Sequence, residues 1–501
     1  MQGTRIHLIV GGLLLAAASG SVQAEALQPD PAWQQGALAN GFSWQILDTP
    51  QRPSDRVELR LIVNTGSLVE SSQQTGFAHL LPRLALTRSE SFTAPQLRAL
   101  WQQSVDNERP LPPAIISYDF TMYNLSLPNN RPDLLKEALA WLADTTGKLA
   151  IDEHTVHAVM NSSINPVGTF PPNTKDAWWR YRLKGSTLLA HDPAQPAKRP
   201  VNLEQLKKFY QQWYTPDAMT LFVVGKVDSR SLGEQINKAF SPLQGKRETP
   251  APMPTLTPLP QQPVSLISEQ VKQDTLSIMW DSPWHPIRDS QSLLRYWRGD
   301  LAREALFWHL QQTLEKSDQK NLHLGFDCRV QYQRGQCAIH LDTPNNNLNG
   351  SLGFIARELA NVRDNGLSKE EFDALLAQKN DQLSKLFATY ARTDTDVLMS
   401  QRLRSQQSGV VDIAPELYQK LRQEFLSSLT LETLNQALKL QLSQDATLVL
   451  MQPKGEPEMS MKQLQDTYDG IMMPAPAVVT EEAKPADTAV AAPATDAAGA
   501  Q

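Results

Sequence analysis

Apolar side chains at Val57, Leu59, Leu61 and Val63 fall on every second residue, the period of a strand with one buried face, and a helical pattern begins near Gly76. A second strand is expected over 118–127. Pro132 then opens a helix that carries Leu135, Ala138, Leu139 and Leu142 on one face and closes near Gly147. Farther on, Leu203, Leu206, Phe209 and Trp213 mark another amphipathic helix, which delivers the chain into a strand over 220–225. From Val264 the order repeats, with strands over 264–268 and 275–280, a long helix over 290–314 and a hairpin over 326–341. A late helix, 431–440, again leads into a strand, 447–451. Ser368 and Glu371 form a capping box that satisfies two free backbone N–H groups, and the segment 148–153 is its counterpart in the first half. Elements mixed in this way predict an α+β fold of two homologous domains, each a mainly antiparallel sheet packed with helices.

Low-information stretches set the expected boundaries. The prolines of 249–263 forbid helix and favour an extended linker, which separates an N-terminal domain, 25–248, from a C-terminal one, 264–472. The tail, 473–501, is rich in Ala, Pro, Thr and acidic residues and cannot bury enough apolar surface to fold alone. At the other end, Arg5, an apolar run over 8–18 and the small-residue pattern Val22-Gln23-Ala24 read as a signal peptide, 1–24. That run is far short of the ~20 residues of a spanning helix, and Gly11 and Gly12 interrupt it. No later segment has the length and apolarity of a membrane span. Export to the periplasm of a two-membrane bacterium is therefore expected. A formal charge of -6 over 501 residues gives no sign of nucleic-acid binding. The two cysteines, Cys328 and Cys337, flank a turn at Gln333-Arg334-Gly335. A turn centred there offsets the thiols along the ladder, so a bridge is not expected.

The segment 57–86 contains Asn64-Thr65-Gly66-Ser67-Leu68-Val69-Glu70 and then Thr75-Gly76-Phe77-Ala78-His79-Leu80-Leu81-Pro82-Arg83. It resembles the signature region of the insulinase/pitrilysin zinc peptidases, in which a strand ending in Gly-Ser and a Glu leads through a Gly to a helix bearing H-x-x-E-H. Supporting matches follow in order: Asp119-Phe120-Thr121 with Leu127-Pro128, Leu183-Lys184-Gly185-Ser186 with His191-Asp192-Pro193, and Phe209 to Tyr214 with Pro216, Met219 and Gly225. The resemblance implies paired α+β domains. It also implies that two such chains, or one of double length, enclose a chamber around unfolded or short peptides.

Zinc hydrolysis needs three protein ligands, an open coordination position for water, and a base for that water's proton. By the resemblance the ligand positions are His79, Arg83 and Ser162, or at most Asn161 for the last, and the base position is Pro82. Pro82 has no ionisable group, a guanidinium offers a metal no lone pair, and Ser162 is not a carboxylate. No catalytic residue and no metal site are therefore expected, and no zinc, although active members hold it. Pro82 should also kink the helix or restart it. Arg83 either sits near the vacated metal site, free to bind a carboxylate, or is a solvated surface residue, which is the expectation. His79 should be a packed core histidine, and His154 with His157 an ordinary polar helix face rather than a replacement metal pair. His285 and His309 sit beside aromatic residues without ligand-like partners.

A non-catalytic exported member that holds peptide, or serves as a subunit beside a homologous peptidase in a homodimer or heterodimer, is the expected function. In the family, substrate adds as a strand to a sheet edge, which needs backbone groups and no metal. The matching edge strand is Ala114, Ile115, Ile116, Ser117 and Tyr118, preceded by the prolines of 109–113. The competing expectation is an active zinc metallopeptidase with a variant or intersubunit site.

Overall fold

The computed structural model describes residues 24–473. The signal-peptide and tail assignments fall outside these residues, apart from Ala24 and Met473. The first half runs β1 (Trp33–Ala37), β2 (Ser43–Asp48), β3 (Arg56–Val63), α1 (Phe77–Ala85), α2 (Ala94–Gln103), β4 (Ala114–Ile116) and β5 (Thr121–Pro128). It continues with α3 (Pro132–Gly147), α4 (Glu153–Asn161), β6 (Val167–Thr169), α5 (Ala177–Arg182), α6 (Leu203–Trp213), β7 (Met219–Gly225) and α7 (Ser229–Phe240). The second half runs β8 (Val264–Ile267), β9 (Thr275–Pro283), α8 (Ser290–Glu315), β10 (His323–Gln331), β11 (Arg334–Asp342), α9 (Leu348–Asn365) and α10 (Lys369–Ser384). It ends with α11 (Leu386–Ala391), α12 (Thr395–Ser408), α13 (Pro415–Ser428), α14 (Leu431–Leu442), β12 (Thr447–Gln452) and α15 (Met461–Met472).

The sheets are ordered β1-β2-β7-β3-β5-β4-β6 and β10-β11-β9-β12-β8. Read from its other end, the second repeats the five strands β2-β7-β3-β5-β4 of the first. Even the parallel pair recurs, β2 with β7 and β8 with β12. Each sheet buries one face under helices of its own half. Leu59, Leu61, Leu81, Trp141 and Phe209 lie in one core, and Leu276, Ile278, Leu306, Ile355 and Leu434 in the other. The opposite faces are covered across the halves. Leu398 and Met399 of α12 pack on Trp33, Leu47, Phe222 and Val224, while Trp178 and Tyr181 of α5 pack beside Val264, Met279 and Val449. The chain start joins the second half, with Leu27 in its core and Leu27 N–H bonded to Arg288 O. The Pro-rich linker is extended but tied down. Leu256 is buried with Tyr118 and Trp179, and Ser186 Oγ donates to Thr255 O.

Two expectations about strands are corrected. Ala114, Ile115 and Ile116 do form β4, but the chain returns after α4 and lays β6 alongside it in parallel. The strand thus has a neighbour on both sides and presents no free edge, while Ser117 and Tyr118 lie in the turn to β5, fully buried. The cysteines also differ. The turn comprises Tyr332 and Gln333, both at positive φ (46° and 65°), which is the backbone twist of a two-residue hairpin turn. Centring the turn there, rather than on Gly335, brings Cys328 directly opposite Cys337 with Cα atoms 4.1 Å apart, and the two are disulfide-bonded.

Candidate functional site

Helix α1 carries the segment that resembles the family motif, and its beginning is unusual. Gly76, at φ +84°, is the N-cap and offers no side-chain acceptor, while a Cβ at this position would fall 2.3 Å from the Ala197 nitrogen. The cap comes instead from six residues upstream: Glu70 Oε2 accepts from Ala78 N–H at 3.0 Å. Burial pushes the Glu70 carboxyl up to about 8, against the pull of the N–H groups of Ala78, Gly76 and Phe77. The helix does not restart at Pro82. It runs through to Ala85, and Leu86 N–H closes the next bond on Pro82 O at 3.0 Å. The ring leaves Ala78 O without its helical donor, a loss confined to one turn of a nine-residue helix.

The three residues that the resemblance sets at ligand positions come together. His79 and Arg83 lie one turn apart on α1, and Ser162 is the C-cap of α4. His79 is buried, as expected of a core histidine. Desolvation, with the Arg83 charge beside it, lowers its pKa to about 4 against a weaker pull from Asp192. The neutral ring leaves Nε2 as an acceptor, and the Asn165 amide lies on it at 3.2 Å. Arg83 is not the solvated surface residue expected from sequence. Its Nη2 donates to Val159 O at 2.7 Å and to Ser162 O at 3.3 Å, so the guanidinium closes the carbonyl end of α4 and joins it to α1. A cation there also opposes the negative end of the helix dipole. Arg199 adds to the same end, its Nη1 donating to Asn161 Oδ1 at 2.7 Å. Ser162 Oγ accepts from Ile164 N–H at 3.2 Å and serves the local turn. The residues at the metal positions therefore form a hydrogen-bonded arginine bridge, and this donor set does not fit a zinc ion.

Other candidate ligands are dispersed or engaged elsewhere. His157 bonds Asn161 on the exposed face of α4, and Asp152 caps that helix by accepting from Thr155 N–H at 2.8 Å. His285 is exposed. His309 departs from the sequence reading, since Nδ1 bonds Glu371 Oε1 and Nε2 lies 3.3 Å from Glu358 Oε2. The two carboxylates bind opposite edges of the ring, so they cannot converge with it on one ion. Among the described residues no group of three His, Cys, Asp or Glu side chains is placed to hold a metal.

The sequence reading missed one constellation. Ser277 Oγ lies 2.6 Å from His340 Nδ1, and His340 Nε2 lies 2.8 Å from Asp327 Oδ1. The hydrogen bond from His340 holds the Asp327 carboxyl below its ordinary range. These are the parts of a serine-histidine-aspartate relay, but Ser277 is fully buried and sits in a ladder whose N–H groups are committed to pairing with β11 and β12. With neither access nor free oxyanion donors, the trio is a cross-strand polar ladder. Only strand register reveals it, because the three residues lie far apart in the chain.

Residues 47–185 match the model for insulinase (peptidase family M16), and residues 200–379 match that for the peptidase M16 inactive domain. Protein YhjJ of Escherichia coli is 64% identical over 480 residues, covering 96% of this chain and 96% of that one. The structure of a predicted insulinase family protease from Yersinia pestis superposes with a TM-score of 0.88 at 72% identity, over 93% of this chain and 100% of that chain. The first half of the periplasmic protease PqqL from Escherichia coli gives a TM-score of 0.74 at 21% identity, over 90% of this chain and 99% of that one, a likeness of fold alone.

Proposed function

The chain belongs to the insulinase family of peptidases, and from that premise we propose that it is an exported, non-catalytic member that holds extended peptide between its two halves. The observation that carries this reading is the arginine bridge. Where a working site needs a base and a second metal ligand, the chain has Pro82 and an Arg83 guanidinium already donating to Val159 O and Ser162 O. The fold around it is kept, so the scaffold that shapes a peptide cleft outlives the chemistry. Periplasmic placement is supported by the amino-terminal pattern of 1–24 and by the periplasmic source of PqqL. No helix among the described residues is long and apolar enough to cross a membrane.

Zinc content, measured by mass spectrometry on protein purified without chelator, tests the reading beside a peptide-cleavage assay with and without added Zn²⁺. We expect less than roughly a tenth of an equivalent and no turnover, the signature of an absent tight site. Stoichiometric zinc with chelator-sensitive cleavage would overturn the proposal. Peptide holding is tested separately, by fluorescence anisotropy with labelled, unstructured peptides. A stable partner subunit recovered without any peptide affinity would replace holding with a structural role.

A further inference from the structure

The two hairpins that occupy equivalent places in the halves meet at their tips. The β4–β5 turn contributes Ser117, Tyr118, Asp119 and Phe120, and the β10–β11 turn inserts Tyr332 among them. Tyr332 Oη lies 3.0 Å from Ser117 Oγ, and its ring packs edge-on to Tyr118 at 6.0 Å. Beside this junction lies a cavity of about 230 Å³ lined by Asp119, Phe120, Phe170, Met253, Val330 and Tyr332. That is below the roughly 300 Å³ at which whole small-molecule sites begin, and it suits one long side chain.

Its rim is open to solvent and mixed, with Phe170 42%, Met253 72% and Val330 40% exposed beside the side-chain amides of Gln331, Gln333 and Gln407. Its wall holds one carboxylate. Asp119 Oδ1 is buried without a hydrogen-bond partner, and among the described residues no Lys or Arg forms an ion pair with Asp119. Tyr332 does not serve it: Ser117 Oγ donates to Phe170 O, so the Tyr332 hydroxyl gives its proton to Ser117. Desolvation pushes the Asp119 carboxyl up to about 6, so near neutral pH a largely ionised residue lines a pocket with no Lys or Arg in its wall. An aliphatic stem matches the apolar side of the rim formed by Phe170, Met253 and Val330, and a cationic head matches the carboxylate, a combination found in lysine and arginine side chains.

Building on the peptide-holding reading above, we propose that this cavity is a specificity pocket for a lysine or arginine side chain of the bound peptide, with Asp119 as the counterion. The fit would make bound peptide bridge the two halves at the hairpin junction, remote in sequence from the inherited motif on α1.

The test uses the full chain and two fluorescein-labelled pentapeptides blocked at both ends, Ala-Ala-Lys-Ala-Ala and its norleucine counterpart, which has an uncharged stem of nearly the same length. Anisotropy should show the lysine peptide bound about tenfold more tightly, the gain expected of one charge-assisted contact. Asp119→Asn should bring the ratio near one, and Asp119→Glu should keep a preference for lysine. In the unaltered protein, zero-length carbodiimide coupling followed by mass mapping should place the peptide lysine on Asp119, a readout that does not depend on a variant folding. Equal affinities in the unaltered protein, or a preference that survives Asp119→Asn, would sink the pocket and leave peptide holding intact. Failure of both peptides to bind would sink the holding reading, and the pocket with it.

Discussion

Helices α1 and α4 of the first half and α8 and α10 of the second occupy equivalent places beside equivalent strands, yet they are secured differently. In the second half, Asp289 caps α8 by accepting from Ser292 N–H at 2.8 Å, Ser368 and Glu371 close a capping box on α10, and His309 joins the two through Glu371. In the first half, α4 is capped in the ordinary way by Asp152. Helix α1 is the exception. It starts on a glycine with no side-chain cap, draws its acceptor from the buried Glu70, carries a proline in its interior, and reaches α4 through an arginine on bare carbonyls. Departures from local rules gather where the family keeps its chemistry, and the equivalent place without that history follows the rules.

If α1 persists despite these departures, packing must hold it. Trp141 of α3 is the main candidate: it is fully buried, its Nε1 donates to Ala85 O at 3.0 Å, and it meets Trp101 edge-on at 4.5 Å. Trp141→Ala should cost about 3–5 kcal/mol in denaturant unfolding, the range for emptying a large aromatic site. In the second half, Leu359→Ala on the counterpart helix α9, also fully buried, should cost about 2–5 kcal/mol. A loss below about 1 kcal/mol for Trp141→Ala would show that α1 is held by something else.

The buried carboxylate separates the halves by pH. Glu70 has a folded pKa of about 8 against an ordinary 4.5, so between these values the folded chain keeps a proton that the unfolded chain has released, and stability falls as pH rises. His79 acts in the opposite sense. Its folded value of about 4 lies below its ordinary 6.5, so stability rises with pH between those limits and then levels off. Above pH 6.5 the Glu70 slope is left unopposed by His79 and should amount to about 2 kcal/mol by pH 8. Glu70→Gln should flatten that slope in urea titrations at pH 6.5 and 8. An unchanged slope would remove Glu70 as its origin.

Much of this contrast could be read from the chain, and the omissions have physical causes. Alternation at Val57 to Val63 and the Ser368–Glu371 box gave the right elements because each is a local pattern that the structure uses locally. His79, Pro82 and Arg83 were legible as residues of one helix, and α1 carries all three, with Arg83 donating to Ser162 O. Strand β6 was not legible: three residues are too few to show alternation, and its arrival beside β4 is a tertiary event that changed the edge. The hairpin register failed for a subtler reason. Glycine is the usual resident of a positive-φ turn, so Gly335 drew the turn toward itself, whereas Tyr332 and Gln333 adopt those angles. Tyr332 is held there by its seat between Ser117, Tyr118 and Trp179, contacts that no local pattern encodes.

A smaller effect tests the arginine bridge. Arg83→Met keeps much of the stem but deletes the donors to Val159 O and Ser162 O, and should cost about 1–2 kcal/mol, near the lower end for a charged hydrogen bond because the site is partly solvated. Amide exchange should quicken in the last turn of α4 more than in its first. Uniform acceleration along α4 would mean that Arg83 supports the helix generally rather than closing its end.

The smallest effect bears on whether the anomaly stops at α1. Helices α4 and α10 are counterparts, and each begins with a side-chain acceptor, Asp152 on Thr155 N–H and Ser368 on Glu371 N–H. Asp152→Ala and Ser368→Ala should therefore each cost about 1 kcal/mol, the usual value of an N-cap. Asp152 gains from its negative charge at the helix start, while Ser368 has the reciprocal bond from its own N–H to Glu371 Oε2 at 2.9 Å, so neither should dominate. Similar losses would confine the difference between the halves to α1. A clearly larger loss at Asp152 would extend it to α4 and make the whole first-half helix pair, rather than one helix, the element that departs from its counterpart.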